Sequence, residues 1–136
     1  MRASLSRRNP RVYFVTITIT PNPNYVRVSF AGHVIAESIR SLVLVEGDLP
    51  PVVYIPRADV DLDLCKPTGH VTHCPHKGDA VHFSIAIHDR VAENALWSYE
   101  NPLPEVAAIA GHVAFYPDRV DSIVAGKPNL RGGSLA

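Results

Sequence analysis

The chain has 136 residues, 46% of them hydrophobic and 19% charged, with thirteen Lys or Arg against thirteen Asp or Glu. A chain of this length can bury about two thirds of its extended surface around one core, whereas two halves would each fall where small chains need disulfides, metals or partners, so one domain is expected. The apolar content excludes a disordered acidic chain, and the most apolar early stretch, Val12 to Ile19, is far shorter than the roughly 20 residues of a membrane span. It also lacks a small-residue cleavage site, so a cytoplasmic location with no membrane partner is expected.

Arg2, Arg7, Arg8 and Arg11 crowd the first eleven residues, and Lys127 and Arg131 lie near the end. Residues 12 to 126 therefore hold seven basic against thirteen acidic side chains. Binding to a phosphate backbone depends on many Lys and Arg acting together, so no nucleic-acid partner is expected. Residues 1–11 read as a basic, flexible N-terminus, 12–125 as a single β domain and 126–136 as a flexible tail.

Along the chain the apolar residues recur with period two. Tyr13, Val15, Ile17 and Ile19 alternate with Phe14 and three threonines until Pro21 and Pro23 remove ladder donors. Tyr25 to Phe30 repeats the alternation, Ala31-Gly32-His33 predicts a tight reversal, and Val34 to Glu37 returns. Ser41 to Glu46 and Val52 to Ile55 follow, closed by Gly47 to Pro51 and by Pro56. In Val81 to Ile87 the odd positions should face a core, and His82, Ser84, Ala86 and His88 a wetter side. Asp89-Arg90 turns this run into Val91 to Tyr99. One short helix is expected from Pro104 to Gly111, with Val106, Ile109 and Ala110 on its buried face. Val113 to Tyr116 and Arg119 to Val124 read as a closing hairpin. With no crossover helix of normal length, the fold class is mainly β: a single antiparallel folded-sheet or barrel-like domain with one short helix.

The densest polar segment runs from Thr68 to Asp79. In an extended chain His70, Thr72 and Cys74 share a face, and imidazoles with a thiolate suit zinc, iron or copper, with His76 or His82 as further ligands. The spacing matches no specific metal signature and no CxxC is present, so no metal site is expected and no cofactor is named. Cys74 is a candidate nucleophile if Lys77, Arg40 or a protonated histidine lowers its pKa, or else a small buried hydrophobe. Glu46 or Asp59 beside Lys77 reads as an acid/base pair or as a partly buried ion pair. Trp97 and Tyr99 share a strand face, as a stacking platform or as packing.

Taken in order, Val26 to Gly32, Ile35 to Ser38 with Arg40, Leu44 to Glu46, Tyr54 to Val60, Thr72 to Gly78, Trp97 to Tyr99 with Pro102, and Ile109 to Pro117 resemble the family known as domain of unknown function 427. The resemblance runs from about Thr18 to Val124. It implies a folded-sheet domain of the Mss4-like (β-tent) type shared with methionine sulfoxide reductase B, and in some classifications carries a nucleotidyltransferase-like label without a known activity. The zinc-bearing relatives use paired CxxC knuckles, so structural zinc does not carry over. Cys65 stands where many members carry leucine, which favours packing there. The family positions Arg40, Glu46, Tyr54, Asp59, Thr72, Cys74, Lys77, Trp97 and Tyr99 are expected to line one pocket.

From this follows the expectation of a small-molecule partner, anionic or ring-containing. Arg40 and Lys77 would hold its negative group, Tyr54, Trp97 and Tyr99 would line the pocket, and Glu46 or Asp59 would orient a lysine or take a proton. If chemistry occurs, Cys74 would attack, with Glu46 or Asp59 and Lys77 in acid/base roles. A homodimeric interaction or structural module without catalysis is the alternative of a different class.

Overall fold

Ten strands carry the period-two segments: β1 (Ile17–Pro21), β2 (Tyr25–Phe30), β3 (His33–Ser38), β4 (Leu42–Glu46), β5 (Val52–Pro56), β6 (Cys65–Cys74), β7 (Gly78–Ile87), β8 (Arg90–Tyr99), β9 (His112–Phe115) and β10 (Ser122–Gly126). The computed structural model describes residues 16–126. The readings of the basic residues 1–11, of Tyr13 to Val15 and of the tail beyond Gly126 lie outside the described residues. The strands form a seven-stranded sheet in the order β1-β4-β5-β9-β8-β7-β6 and a three-stranded sheet in the order β10-β2-β3. All pairings are antiparallel, and no barrel closes.

Side chains alternate across a strand, so pairing register sorts them onto faces. On one face of the large sheet Ile19 pairs with Leu44, Leu42 with Tyr54, Thr72 with Ala80 and Ala80 with Tyr99. His82 pairs with Trp97, and Trp97 with Ala114. Leu44, Tyr54, Ala80, Tyr99 and Ala114 form a core there with Val106 and Ile109. On the other face Ile55, Ile85, Leu96, Val113 and Phe115 pack with Val26, Val28, Phe30 and Ile35 of the small sheet.

This burial on both faces corrects the reading of β7. Ile85 and Ile87 face the larger core as expected and Ala86 and His88 on the opposite side are exposed, but His82 on that side is 1% exposed, packed against His70 and Tyr116. The short helix is a 3₁₀ segment, Pro104–Ile109, broken at Val106 (φ −123°, ψ 26°). Six residues are too few to sustain an α-helix, and what holds them is the complete burial of Val106 and Ile109. The closing hairpin does not form. β9 pairs with β5 and β8, Pro117–Arg119 makes a 3₁₀ turn, and β10 crosses to pair with β2, with Gly126 opposite Tyr25.

The β2–β3 reversal falls where expected, through Ala31 (φ 52°) and Gly32 (φ 79°). Ala31 thus occupies the left-handed region that costs an L-residue about 1–2 kcal/mol. Ala31→Gly is expected to raise stability by about 0.5–1 kcal/mol in urea unfolding. Leu96→Ala, at a site with 0% exposure in β8, is expected to lower it by about 2–5 kcal/mol. An unchanged or lowered midpoint for the glycine variant would remove the strain argument.

Candidate functional site

The turn from β6 to β7 presents Lys77. Its backbone N–H donates to the Cys74 carbonyl at 3.1 Å, and its own carbonyl accepts from Leu103 N–H at 2.9 Å, which ties the turn to the chain leaving β8. Gly78 follows at φ +114°, where a Cβ would be strained and would sit 3.5 Å from the Asn101 carbonyl. Glu46 ends β4, where Gly47 N–H donates to the Thr16 carbonyl at 3.0 Å. Lys77 Nζ donates to Glu46 Oε1 at 2.5 Å, with the two side chains only 12% and 14% exposed. The pair lies in the wall of a cavity of ≈ 210 Å³ whose other walls include Tyr54, Trp97, Tyr99 and Tyr116.

Burial alone would depress the pKa of Lys77, but the hydrogen bond it donates to Glu46, with its interactions with Cys74 and with the Glu46 charge, outweighs it and leaves the pKa raised. Lys77 is therefore an ammonium at neutral pH, a fixed positive charge and not a free amine. Burial raises Tyr54, against the pull of the Trp97 hydrogen bond and the Lys77 charge. Tyr99 is raised, again mainly by burial, so both phenols stay neutral.

Hydrogen bonds orient the aromatic wall. Trp97 Nε1–H donates to the Tyr54 hydroxyl at 3.3 Å, with the rings edge to face. Trp97 and Tyr116 ring centroids are 4.4 Å apart. His82 Nδ1 lies 3.2 Å from the His70 carbonyl and Nε2 3.2 Å from the Tyr116 hydroxyl. A carbonyl only accepts, so Nδ1 carries the proton and Nε2 accepts from Tyr116. That assignment needs a neutral imidazole, and burial lowers the His82 pKa accordingly. Arg119 lies over the Tyr116 ring, 4.5 Å from its centroid.

Of the residues singled out from the sequence, Glu46, Tyr54, Thr72, Lys77, Trp97 and Tyr99 surround this one cavity. Cys74 sits beside it, half-buried and within hydrogen-bonding reach of Lys77, without forming its wall. Arg40 and Asp59 are elsewhere, which corrects the expectation of a single pocket. Arg40 Nη2 and Nε reach Asp59 Oδ1 and Oδ2 at 2.9 and 3.0 Å, and Ser38 Oγ donates to Oδ2 at 2.7 Å. Arg40, first, and then Ser38 hold the Asp59 carboxyl below its ordinary pKa against the opposing effect of burial. These contacts fasten the end of β3 to the 3₁₀ turn Arg57–Asp59, and that satisfies both charges where they stand.

The histidines do not gather at one place, although the rings of His70 and His82 lie with centroids 4.6 Å apart. His73 pairs with Asp79 at 2.7 Å on the exposed side of β6, while His82 belongs to the aromatic wall. Among the described residues no three His, Cys, Asp or Glu side chains group as a metal site. Cys65 is packing: buried, its thiol 3.6 Å from the Asp61 carbonyl and its pKa pushed up to about 11 by burial and then by Asp61. The sequence reasoning missed three contributors, Tyr116, the Leu49-Pro50 loop and His82 as the orienter of Tyr116. The run Phe115-Tyr116-Pro117 was the available signal, since a tyrosine leaving a strand at a proline turn is free to leave the sheet face.

A family model described as a domain of unknown function (DUF427) matches residues 18–126. No curated protein matches the sequence.

Two outcomes follow for stability. Lys77→Met strands the Glu46 carboxylate and is expected to cost about 1–3 kcal/mol at pH 7, part of it recovered by adding Glu46→Gln. Because the folded pKa of Lys77 is raised above the ordinary 10.5, its contribution is complete below that pH and is lost as pH rises through the folded value. For His82 the sign is opposite. The unfolded imidazole takes a proton below pH 6.5 while the folded one resists it, so stability is expected to fall from pH 7 to 5 and the fall to flatten in His82→Gln. Urea midpoints from pH 5 to 7 check His82, and midpoints at pH 7 and above 10.5 check Lys77; identical slopes for wild type and His82→Gln would remove His82 from the account.

Proposed function

We propose that this chain, which belongs to the DUF427 family, is a small-molecule-binding domain whose ligand places a planar ring against the Tyr54, Trp97, Tyr99 and Tyr116 wall and a polar edge on the Lys77–Glu46 pair. The observation that carries this reading is the pair itself, almost buried yet set in a cavity wall. Apolar residues of similar volume fill a purely structural position at least as well, because desolvating two charges costs much of what their attraction returns. The single hydrogen bond between them uses one of three ammonium protons and one of two carboxylate oxygens, so donors and an acceptor remain for a ligand.

The charge balance selects the ligand class. A free anion would meet Lys77 already neutralised by Glu46, whereas a ring bearing adjacent donor and acceptor groups, such as an amide, a lactam or a nitrogen heterocycle, matches both partners at once. A cavity of ≈ 210 Å³ holds one or two fused rings. Tyr54, which accepts from Trp97, keeps its own hydroxyl proton to donate. The enzyme reading rests on Cys74, which sits within hydrogen-bonding reach of Lys77 at the edge of the cavity. Cys74→Ser separates the readings, since it would abolish turnover but leave binding intact.

Trp97 is the single tryptophan, so its fluorescence reports the cavity directly. Titration with benzamide, nicotinamide, uracil and xanthine is expected to give saturable quenching by at least one. Lys77→Ala and Glu46→Gln should weaken that binding by about tenfold or more, the loss of roughly one charge-assisted hydrogen bond. Arg40→Ala should leave it unchanged. No saturable response, or equal affinity in all three variants, would refute the reading.

A further inference from the structure

A second cavity, of ≈ 720 Å³, lies between the two sheets, walled by Val26 and Val28 of β2, Val53 and Ile55 of β5, Phe115 at the end of β9 and Ile123 of β10. It shares Leu49, Pro50, Val52, Trp97 and Tyr116 with the polar cavity, so the same residues form the partition between the two. None of its lining residues among those described is charged. Among the described residues its side-chain polar groups are Trp97 Nε1 and the Tyr116 hydroxyl, and both are already hydrogen-bonded, to Tyr54 and His82. A water molecule there would find few partners, whereas a hydrocarbon group would leave nothing unsatisfied. Leu49 and Ile123, 59% and 38% exposed, stand on its solvent side.

The polar cavity is smaller than the 300–1,000 Å³ in which drug-sized ligands are usually held, so the remainder of a larger ligand lies outside it, and the groove borders it along five shared residues. We infer that the ligand is amphipathic: a planar polar head at Lys77 and Glu46, and an apolar body passing Trp97 and Tyr116 into the groove between the sheets. This rests on the binding reading above for the head and adds a separate site for the body. The occupant is the apolar part of that same molecule, because the groove adjoins the polar cavity along the residues they share and asks for no polar contact of its own.

The test compares benzamide with 4-ethylbenzamide and 4-butylbenzamide on the full-length protein, read by Trp97 fluorescence and by methyl resonances of Val28, Val53, Ile55 and Ile123. Affinity is expected to rise about three- to fourfold for each added methylene. The groove methyls should shift with the butyl compound and stay still with benzamide. Ile123→Glu, at a partly exposed position, should leave benzamide affinity unchanged and abolish the gain from the chain. Should that variant not fold, the methyl shifts in wild type decide the matter by themselves. Equal affinity along the series, with shifts confined to the polar cavity, would overturn the apolar body and leave the head site standing. Absence of binding by all three compounds would overturn the inference, while the wider heterocycle panel still judges the head site. Contacts to the groove methyls from residues 1–15 or 127–136, or from a second copy as concentration rises, would also overturn it by filling the groove with protein.

Discussion

The seven-stranded sheet is buried on both faces at its centre, and the rest of the molecule follows from how each face is covered. A half-solvated antiparallel sheet shows a clean apolar and polar alternation. Here β7 and β8 depart from it, because Ala80 and Tyr99 are buried on one face while Ile85 and Leu96 are buried on the other. The small sheet covers the second face. Among the described residues, a six-residue 3₁₀ segment and a set of aromatic rings cover the first. A cover that short closes one part of the face and leaves the part between β4 and the β6–β7 turn open, and the ion pair and cavity lie there.

Within the open part hydrogen bonds link the ring groups of Trp97, Tyr116 and His82 to fixed partners. Trp97 is fixed by Tyr54, Tyr116 by His82, and His82 by a backbone carbonyl of β6, so the aromatic wall is a hydrogen-bonded ladder with defined donor directions. Groups held in this way lose little freedom when a ligand arrives, which is the condition for affinity from a small contact area. The Lys77–Glu46 pair is held by backbone contacts on both sides, at Leu103 for the lysine and at Thr16 for the residue after the glutamate. A buried charge pair of ordinary structural use needs no cavity beside it. Its placement next to one is what distinguishes it from the Arg40–Asp59 clamp, where the arginine is 61% exposed and both charges are spent on each other.

Much of the fold was legible in the order of residues. Nearly every described strand appears where β-branched and aromatic residues alternate, and the β2–β3 reversal appears at Ala31-Gly32, because strand formation and tight turns are governed by neighbours a few positions away. The local signals also gathered Glu46, Tyr54, Lys77, Trp97 and Tyr99 as chemistry-bearing residues, since charged and aromatic side chains at strand ends stand out against an apolar run.

What only the tertiary structure decided was partnership over distance. Arg40 and Lys77 are both cations near carboxylates in the sequence, yet Arg40 takes Asp59, 19 positions on, and Lys77 takes Glu46, 31 positions back. Local pattern carries no term for that choice, which depends on strand order in the sheet. The same holds for β9 and β10, adjacent in sequence and divided between two sheets, since an alternating strand is equally compatible with either neighbour until register with distant strands is set. His82 shows the consequence at a single residue. Its period-two position is independent of context, but whether that position meets water or is buried depends on His70, Tyr116 and its ladder partner Trp97, and no local pattern encodes those contacts.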